Sequence, residues 1–322
     1  MIEVSEEVVK LCAVLRETVL PCLGLHAARA HAGAAVGGDV TFDIDEKAER
    51  MLEEYMAAHL PRWACYSEDR GLQGAAHPEL VLIVDPIDGT RPAAAGFEMA
   101  CVSVAAVPPD GTPRMGDVVA AAVQEIKGGD LFAAEKGDGF RMLRADGRPI
   151  PFLPSATVDL ESLFWTLGFR GRPAMVLAGV LEELIDTSSV GGSVFDIGSA
   201  TYSITRILTG QLDAYVDIGP AIIAAHPQTE AEFRRVGRGA VLNNSPYDLA
   251  AVYLLCKEAG LPITDADGSS LDGRPLLGSD HSYQMACIAA GNAELQRRLI
   301  DAVQRGIRTY APRPAAGAAP DS

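Results

Sequence analysis

Asp85-Pro86-Ile87-Asp88-Gly89-Thr90 sets two carboxylates three residues apart behind the short apolar run 80–84. Pro86 holds Asp85 in an extended backbone, which aims its carboxylate off the end of a strand. Asp88 brings a second carboxylate back to the same neighbourhood, and the turn exposes the Ile87 carbonyl. Two carboxylates and a carbonyl are hard oxygen ligands, a set that suits Mg²⁺ better than zinc or copper. Gly89 lets the backbone approach a ligand closely. Pro92, followed by three alanines, can open a short helix whose first N–H groups would cradle a phosphate. The same hexapeptide also reads as a turn with two solvated aspartates.

Three further acidic positions could join it. Asp45 opens a helical pattern, where an aspartate also serves as a cap. Glu68-Asp69 follows a strand pattern at 64–67 and also reads as a solvated loop. Asp248, in Tyr247-Asp248-Leu249-Ala250-Ala251, starts an apolar helix, where it also favours the helix dipole.

These positions need elements to hold them. Residues 5–22 and 45–60 read as amphipathic helices. In the second, Ile44, Ala48, Met51, Leu52, Tyr55 and Met56 recur at three- and four-residue spacing, and Pro61 closes it. The run 80–84 predicts a buried strand that stops at Asp85-Pro86. Further strands are predicted over 101–107, 118–124 and 131–135, the last running into Lys136-Gly137-Asp138-Gly139. After residue 151 the rhythm becomes strand 162–167, helix 173–185, helix 199–208, strand 212–216 and helix 246–258. The pattern predicts an α+β first half (1–150) and an α/β second half (151–311). A tail rich in Pro, Ala and Gly, 312–322, is expected to be disordered.

Composition narrows the partners. The chain has 322 residues, 27 basic and 43 acidic side chains, and a formal net charge of -16. A nucleic-acid backbone or an anionic membrane demands a basic surface, so neither is expected as a partner. No stretch reaches the ~18–20 apolar residues of a membrane span. The acidic start MIEVSEEVVK lacks the basic and then apolar pattern of a secretory signal, so a cytoplasmic location is expected. Six cysteines, far apart and without a C-x-x-C pair, read as buried free thiols rather than a zinc site.

Taken together, Asp45, Glu68-Asp69, the hexapeptide 85–90, and Tyr247-Asp248 followed after eleven residues by Gly260-Leu261 resemble the ordered motifs of the inositol monophosphatase family. Glu135-Lys136-Gly137-Asp138-Gly139-Phe140, Gly198-Ser199-Ala200 and Gly210-Gln211-Leu212-Asp213-Ala214-Tyr215 extend the resemblance over roughly 40–290. It implies an αβαβα five-layer sandwich of the inositol monophosphatase and fructose bisphosphatase type, dimeric, with the site between the halves. It further implies that Glu68, Asp85 and the Ile87 carbonyl hold a first Mg²⁺, and that Asp85, Asp88 and Asp248 hold a second. Glu68 would also touch a third, weaker ion. Asp45 and Thr90 would polarise a metal-activated water for attack on phosphorus. The Gly89 and Thr90 amides would hold phosphate oxygens, with Ser199, Ala200 and Asp217 on the substrate side.

The chain departs from the family pattern near the substrate. Tyr247 stands for a Trp, Asp69 for a second Glu, and Asp217 for a Glu that binds inositol hydroxyls. Arg91-Pro92-Ala93 replaces the usual residues after the hexapeptide, and about 25 extra residues occupy 221–245. The expected activity is Mg²⁺-dependent hydrolysis of a small phosphorylated polyol, sugar or cyclitol. The alternatives are a bisphosphate substrate, of fructose or of a nucleotide, and a low-turnover metal- or phosphate-binding protein. Arg234, Arg235 and Arg238 read either as an exposed helix or as a clamp over the pocket for a second anionic group, with Arg91 adding to it.

Overall fold

The computed structural model describes residues 3–25, 31–34 and 40–311; the tail 312–322 lies outside them. Helix α1 (Val4–Val19) precedes a short antiparallel pair, β1 (His31–Ala34) and β2 (Val40–Phe42), and helix α2 (Asp43–His59). Seven strands then form one sheet: β3 (Ala64–Ser67), β4 (Gly71–Gly74), β5 (Val81–Asp88), β6 (Cys101–Val107), β7 (Ala120–Glu125), β8 (Leu131–Glu135) and β9 (Gly139–Leu143). Their order is β4-β3-β5-β6-β7-β8-β9, and only β3 and β5 run parallel. The short helix α3 (Thr90–Ala95) lies between β5 and β6.

The second sheet comprises β10 (Phe164–Leu167), β11 (Ser193–Phe195), β12 (Ala214–Asp217), β13 (Ile263–Thr264) and β14 (Cys287–Ala290), in the order β11-β10-β12-β14-β13. Around it run α4 (Ala174–Thr187), α5 (Ala200–Leu208), α6 (Gly219–Ala225), α7 (Glu230–Val236), α8 (Pro246–Ala259) and α9 (Ala293–Thr309). Among the described residues no helix is long and apolar enough to cross a membrane.

Strand periodicity explains the layering. Along β5 and β6, Leu82, Val84, Val102 and Val104 pack with α1 and α2, while Val81, Ile83, Ala105 and Val107 pack with α5 and α8. Successive side chains leave a strand on opposite faces, so a sheet covered on both sides reads as a continuous apolar run. Helix α8 is buried without a break from Leu249 to Cys256, as a helix enclosed between two sheets must be. The far face of the second sheet is covered by α4 and α9, which join it through Trp165, Leu177, Leu181, Ile288 and Leu299. The layers are α1/α2, sheet, α5/α8, sheet, α4/α9: the expected αβαβα sandwich.

The elements differ from the sequence reading in several places, and β1, β2, β4, β9 and β11 have no counterpart in it. Strand β5 does not stop at Asp85-Pro86 but continues, fully buried, to Asp88. Residues 261–311, for which the sequence reading gives no element, supply β13, β14 and α9. The 221–245 segment contributes α6 and α7, and Phe233 of α7 is wholly buried against the second sheet. All six cysteines are free thiols, and five of them are buried.

Helices α4 and α9 meet at two small residues. A Cβ on Gly306 would run into the Val180 carbonyl oxygen, and one on Gly179 would lie 2.8 Å from the Tyr310 ring. The obstruction at Gly306 is backbone, which cannot rotate away. Gly306→Ala is therefore expected to lower stability by about 1–3 kcal/mol, the usual cost of overpacking, as read from the urea midpoint. A midpoint equal to wild type would show that the crossing is looser than these contacts imply.

Candidate active site

The two motif aspartates share a face because of an irregularity in β5. Asp85 pairs with Ser103 and Asp88 with Cys101, so three steps along β5 match two along β6. In a regular strand, residues three apart point to opposite faces; one extra residue turns the second back to the side of the first. The Ile87 amide donates to Asp85 Oδ1 at 2.9 Å, and the Thr90 hydroxyl donates to the Ile87 carbonyl at 3.1 Å. Gly89 follows with φ 97°, and a Cβ there would lie 2.5 Å from the Met99 carbonyl oxygen. Only glycine suits that position.

Helix starts supply the rest. Asp248 stands in the first turn of α8 and accepts from the Ser245 amide at 2.6 Å. Asp88 accepts from the Thr201 amide at 2.5 Å at the start of α5, and the Thr201 hydroxyl donates to the Asp248 carbonyl at 3.0 Å. Asp45, in the first turn of α2, accepts from the Phe42 amide at 2.8 Å. The caps leave the functional reading open: an amide fixes one oxygen of each of Asp45 and Asp248, and both residues still line the cavity. Asp85, Asp88 and Asp248 each present an oxygen within 4.8 Å of the others. Asp45, Glu68 and Thr90 line the same cavity, of about 450 Å³.

Burial raises all three clustered carboxylates above the ordinary range. Asp85 is raised by burial first, then by Glu68, Asp88 and Asp248. Asp88 is raised by burial, against hydrogen bonds from Thr201 and Ser199 and the charge of Arg170. Asp248 is pushed up to about 8 by burial and by Asp88, with the Ser245 amide, Arg170 and Arg172 opposing. Such a group of hard oxygen donors, short of positive charge, fits a divalent cation. Asp85, Asp88 and Asp248, with Glu68 and the Ile87 carbonyl beside them, are the residues that would hold it.

The profile of the inositol monophosphatase family matches residues 3–308. The chain belongs to that family. Its members are phosphoric monoester hydrolases. An inositol-1-monophosphatase of Mesorhizobium japonicum is 25% identical over 274 residues, covering 84% of this chain and 85% of the relative. A fructose-1,6-bisphosphatase/inositol-1-monophosphatase of Methanothermobacter thermautotrophicus is 26% identical, covering 70% and 69%. Among solved structures, a Thermotoga maritima IMPase superposes with a TM-score of 0.66 at 18% identity, over 94% of this chain and 97% of the other.

Within this family member, the residues expected on the substrate side separate. Ser199 caps α5, accepting from the Tyr202 amide at 3.0 Å, and with Ala200 it lines a narrow polar recess of about 50 Å³ beside Asp88 and Asp248. Asp217 lines neither the recess nor the cavity. Its side chain is fully buried and ion-paired with the Arg172 guanidinium. The expectation that Asp217 meets a substrate hydroxyl is corrected accordingly: an arginine 45 positions away has claimed the carboxylate. Of the two readings of the arginine segment, the contacts favour the exposed helix. Arg234 pairs with Glu230 at 2.7 Å along α7, as the exposed-helix reading has it, and none of Arg234, Arg235 and Arg238 lines the cavity. Arg91 and Arg170 do, together with Phe97 and Phe169. The sequence reading singles out only Arg91 of these four.

Glu49, on α2, stands behind the Glu68 segment. Its carboxylate accepts from the Ser67 hydroxyl at 2.9 Å and the Asp69 amide at 3.2 Å, so it ties down both neighbours of Glu68. Burial raises it to about 7, with the charge of Asp69 adding and Ser67, the Asp69 amide and Arg70 opposing. A carboxyl raised on folding favours the protonated folded state. Its contribution is full below the usual carboxylate range and is lost as pH rises through about 7. Glu49→Gln keeps the shape without the charge. In Mg²⁺-free buffer, the variant should gain roughly 1–3 kcal/mol on wild type between pH 5 and pH 8, measured by urea unfolding. A stability difference independent of pH would mean that Glu49 titrates as an ordinary carboxylate.

Proposed function

We propose that the protein hydrolyses the phosphate monoester of a small molecule, with Mg²⁺ as the cation. The observation that carries this reading is the meeting of three buried carboxylates within 4.8 Å of one another, at a cavity that Asp45, Glu68 and Thr90 also line. Mg²⁺ held there would neutralise phosphate oxygens, acidify a water and stabilise the departing alkoxide. The protein's own groups do the positioning. The Gly89 and Thr90 amides hold phosphate oxygens at the start of α3. The Thr90 hydroxyl and the Asp45 carboxylate orient the attacking water and take up its proton. The new bond joins the water oxygen to phosphorus, the P–O bond to the leaving group breaks, and the alkoxide is protonated from solvent.

A second reading has its own support. Arg91 and Arg170 line the cavity, and a guanidinium grips phosphate or carboxylate with a fork of donors. A substrate with a second anionic group, as in a bisphosphate, would engage them. The expected homodimer and the cytoplasmic location belong to the same proposal; light scattering tests the first.

Phosphate release should require Mg²⁺ and be inhibited by Ca²⁺, which prefers more ligands in looser geometry. Asp88→Asn should lower kcat by more than the ~10–100-fold typical of losing a residue that merely orients a ligand, with the far-UV spectrum unchanged. Full activity in excess chelator would overturn the metal assignment.

Thr90→Ala and Asp45→Asn should each lower kcat, and the double variant should be little worse than the worse single one, because the two act on one water. Multiplicative losses would separate their roles.

A further inference from the structure

The cavity that holds the carboxylates has a second kind of lining. Pro92, Ala95, Phe97, Met99, Phe169 and Ile197 share it with the acidic residues. Phe97 is 58% exposed and Phe169 is 43% exposed. Aromatic rings left open to water inside a cavity of about 450 Å³, beside the groups that do the chemistry, are surfaces waiting to be covered by whatever the chemistry acts on.

The turn that places Phe169 also occupies the Asp217 carboxylate. The Arg172 amide donates to the Phe169 carbonyl at 3.2 Å, closing residues 169–172 into a turn with Gly171 at φ 73°. One end of that turn presents Phe169 to the cavity. The other sends Arg172 into the interior, where it neutralises Asp217. What remains beside Ser199 and Ala200 is the recess of about 50 Å³. A water needs ~10–15 Å³ of such space, so the recess by itself holds a few waters and is too small for a sugar ring. Asp69, Arg91, Arg170 and Asp196 make up a charged side of the cavity, whereas a hydroxyl-rich ring laid against Phe97 and Phe169 would lose hydrogen bonds to water and gain none there. A flat aromatic face loses nothing there and stacks on phenylalanine.

We infer that the substrate's leaving group carries an aromatic or heteroaromatic ring that packs against Phe97 and Phe169, rather than a bare polyol or sugar. The inference rests on the phosphatase reading and narrows it. Its test uses a matched pair, ribose 5-phosphate and adenosine 5′-monophosphate, which share a leaving alcohol and differ by the ring. With Mg²⁺ present, kcat/KM for the nucleotide should exceed that for the sugar by roughly tenfold or more, the scale of one stacked ring with its buried area. The ratio should collapse towards one in Phe97→Ala and in Phe169→Ala. Because the ratio is internal to each variant, loss of folded protein leaves it unchanged. Benzyl phosphate should likewise be preferred to ribose 5-phosphate by wild type, and less so by the variants.

The failures are distinguishable. Mg²⁺-dependent release from ribose 5-phosphate or inositol 1-phosphate at or above the rate for the aromatic esters overturns the inference and leaves the phosphatase reading standing. A ratio unchanged in both variants overturns the assignment to Phe97 and Phe169. No release from any of the four esters overturns the phosphatase reading itself.

Discussion

Like charges buried together are the constraint around which the molecule is arranged. Two carboxylates 4 Å apart repel by about 4 kcal/mol at an effective dielectric constant of ~20, and here three meet within 4.8 Å. Each is offset by one short amide donor, Ile87 for Asp85, Thr201 for Asp88 and Ser245 for Asp248. A hydrogen bond to a charged group contributes ~1.5–3 kcal/mol, and a helix start adds at most ~2 kcal/mol. These gains do not cover two like neighbours and the loss of water together. The balance falls to a proton, the direction in which burial pushes all three carboxylates, or to a divalent cation. An uncompensated site of this kind is held open by the rest of the fold.

That hold comes from the central layer. Helix α8 is enclosed by the two sheets, and Asp248 stands in its first turn, so the position of the third carboxylate follows from packing along the whole helix. Helix α5 belongs to the same layer and delivers the Thr201 amide. The bulge in β5 sits where these two helix starts converge. Moving α5 would take the Thr201 amide from Asp88, and moving α8 would carry Asp248 out of the cluster and break the Thr201 hydroxyl's bond to its carbonyl. The geometry of the site and the stability of the middle layer are thus one problem.

What was legible in the sequence follows from how local each feature is. Asp85 and Asp88 could be read from six consecutive residues, because proline and glycine fix the backbone there. Asp45 and Asp248 could be placed at helix starts because the apolar periodicity of α2 and α8 marks those starts. The continuation of β5 through Pro86 was not legible: whether a proline ends a strand depends on whether the partner strand needs its N–H, and the partner lies at 101–107. The fate of Asp217 was hidden for the same kind of reason. An isolated aspartate after a strand looks available until Arg172, 45 residues earlier, is folded onto it. Phe97 and Phe169 carry no periodic signal because they stand in loops, where an aromatic residue has no face to repeat.

On the proposed reading, specificity and catalysis reside on different kinds of structure. The carboxylates are held by helix starts and a strand bulge, which few substitutions tolerate, since each donor is backbone and each acceptor is buried. The apolar wall comes from the short loop after α3 and the turn after β10, where side chains are exposed and backbone demands end with a glycine or two. A change at Phe97 or Phe169 costs the fold little, whereas truncating Asp88 leaves the Thr201 amide without its acceptor at the heart of the protein. Arg172 lies between the two regimes. It stands on the same turn as the exposed Phe169, but its guanidinium is buried against Asp217, so replacing it strands a charge in the interior, and breaking a buried pair in that way costs ~3–5 kcal/mol. The exposed end of the turn can be replaced at little cost to the fold only while its inner end stays paired.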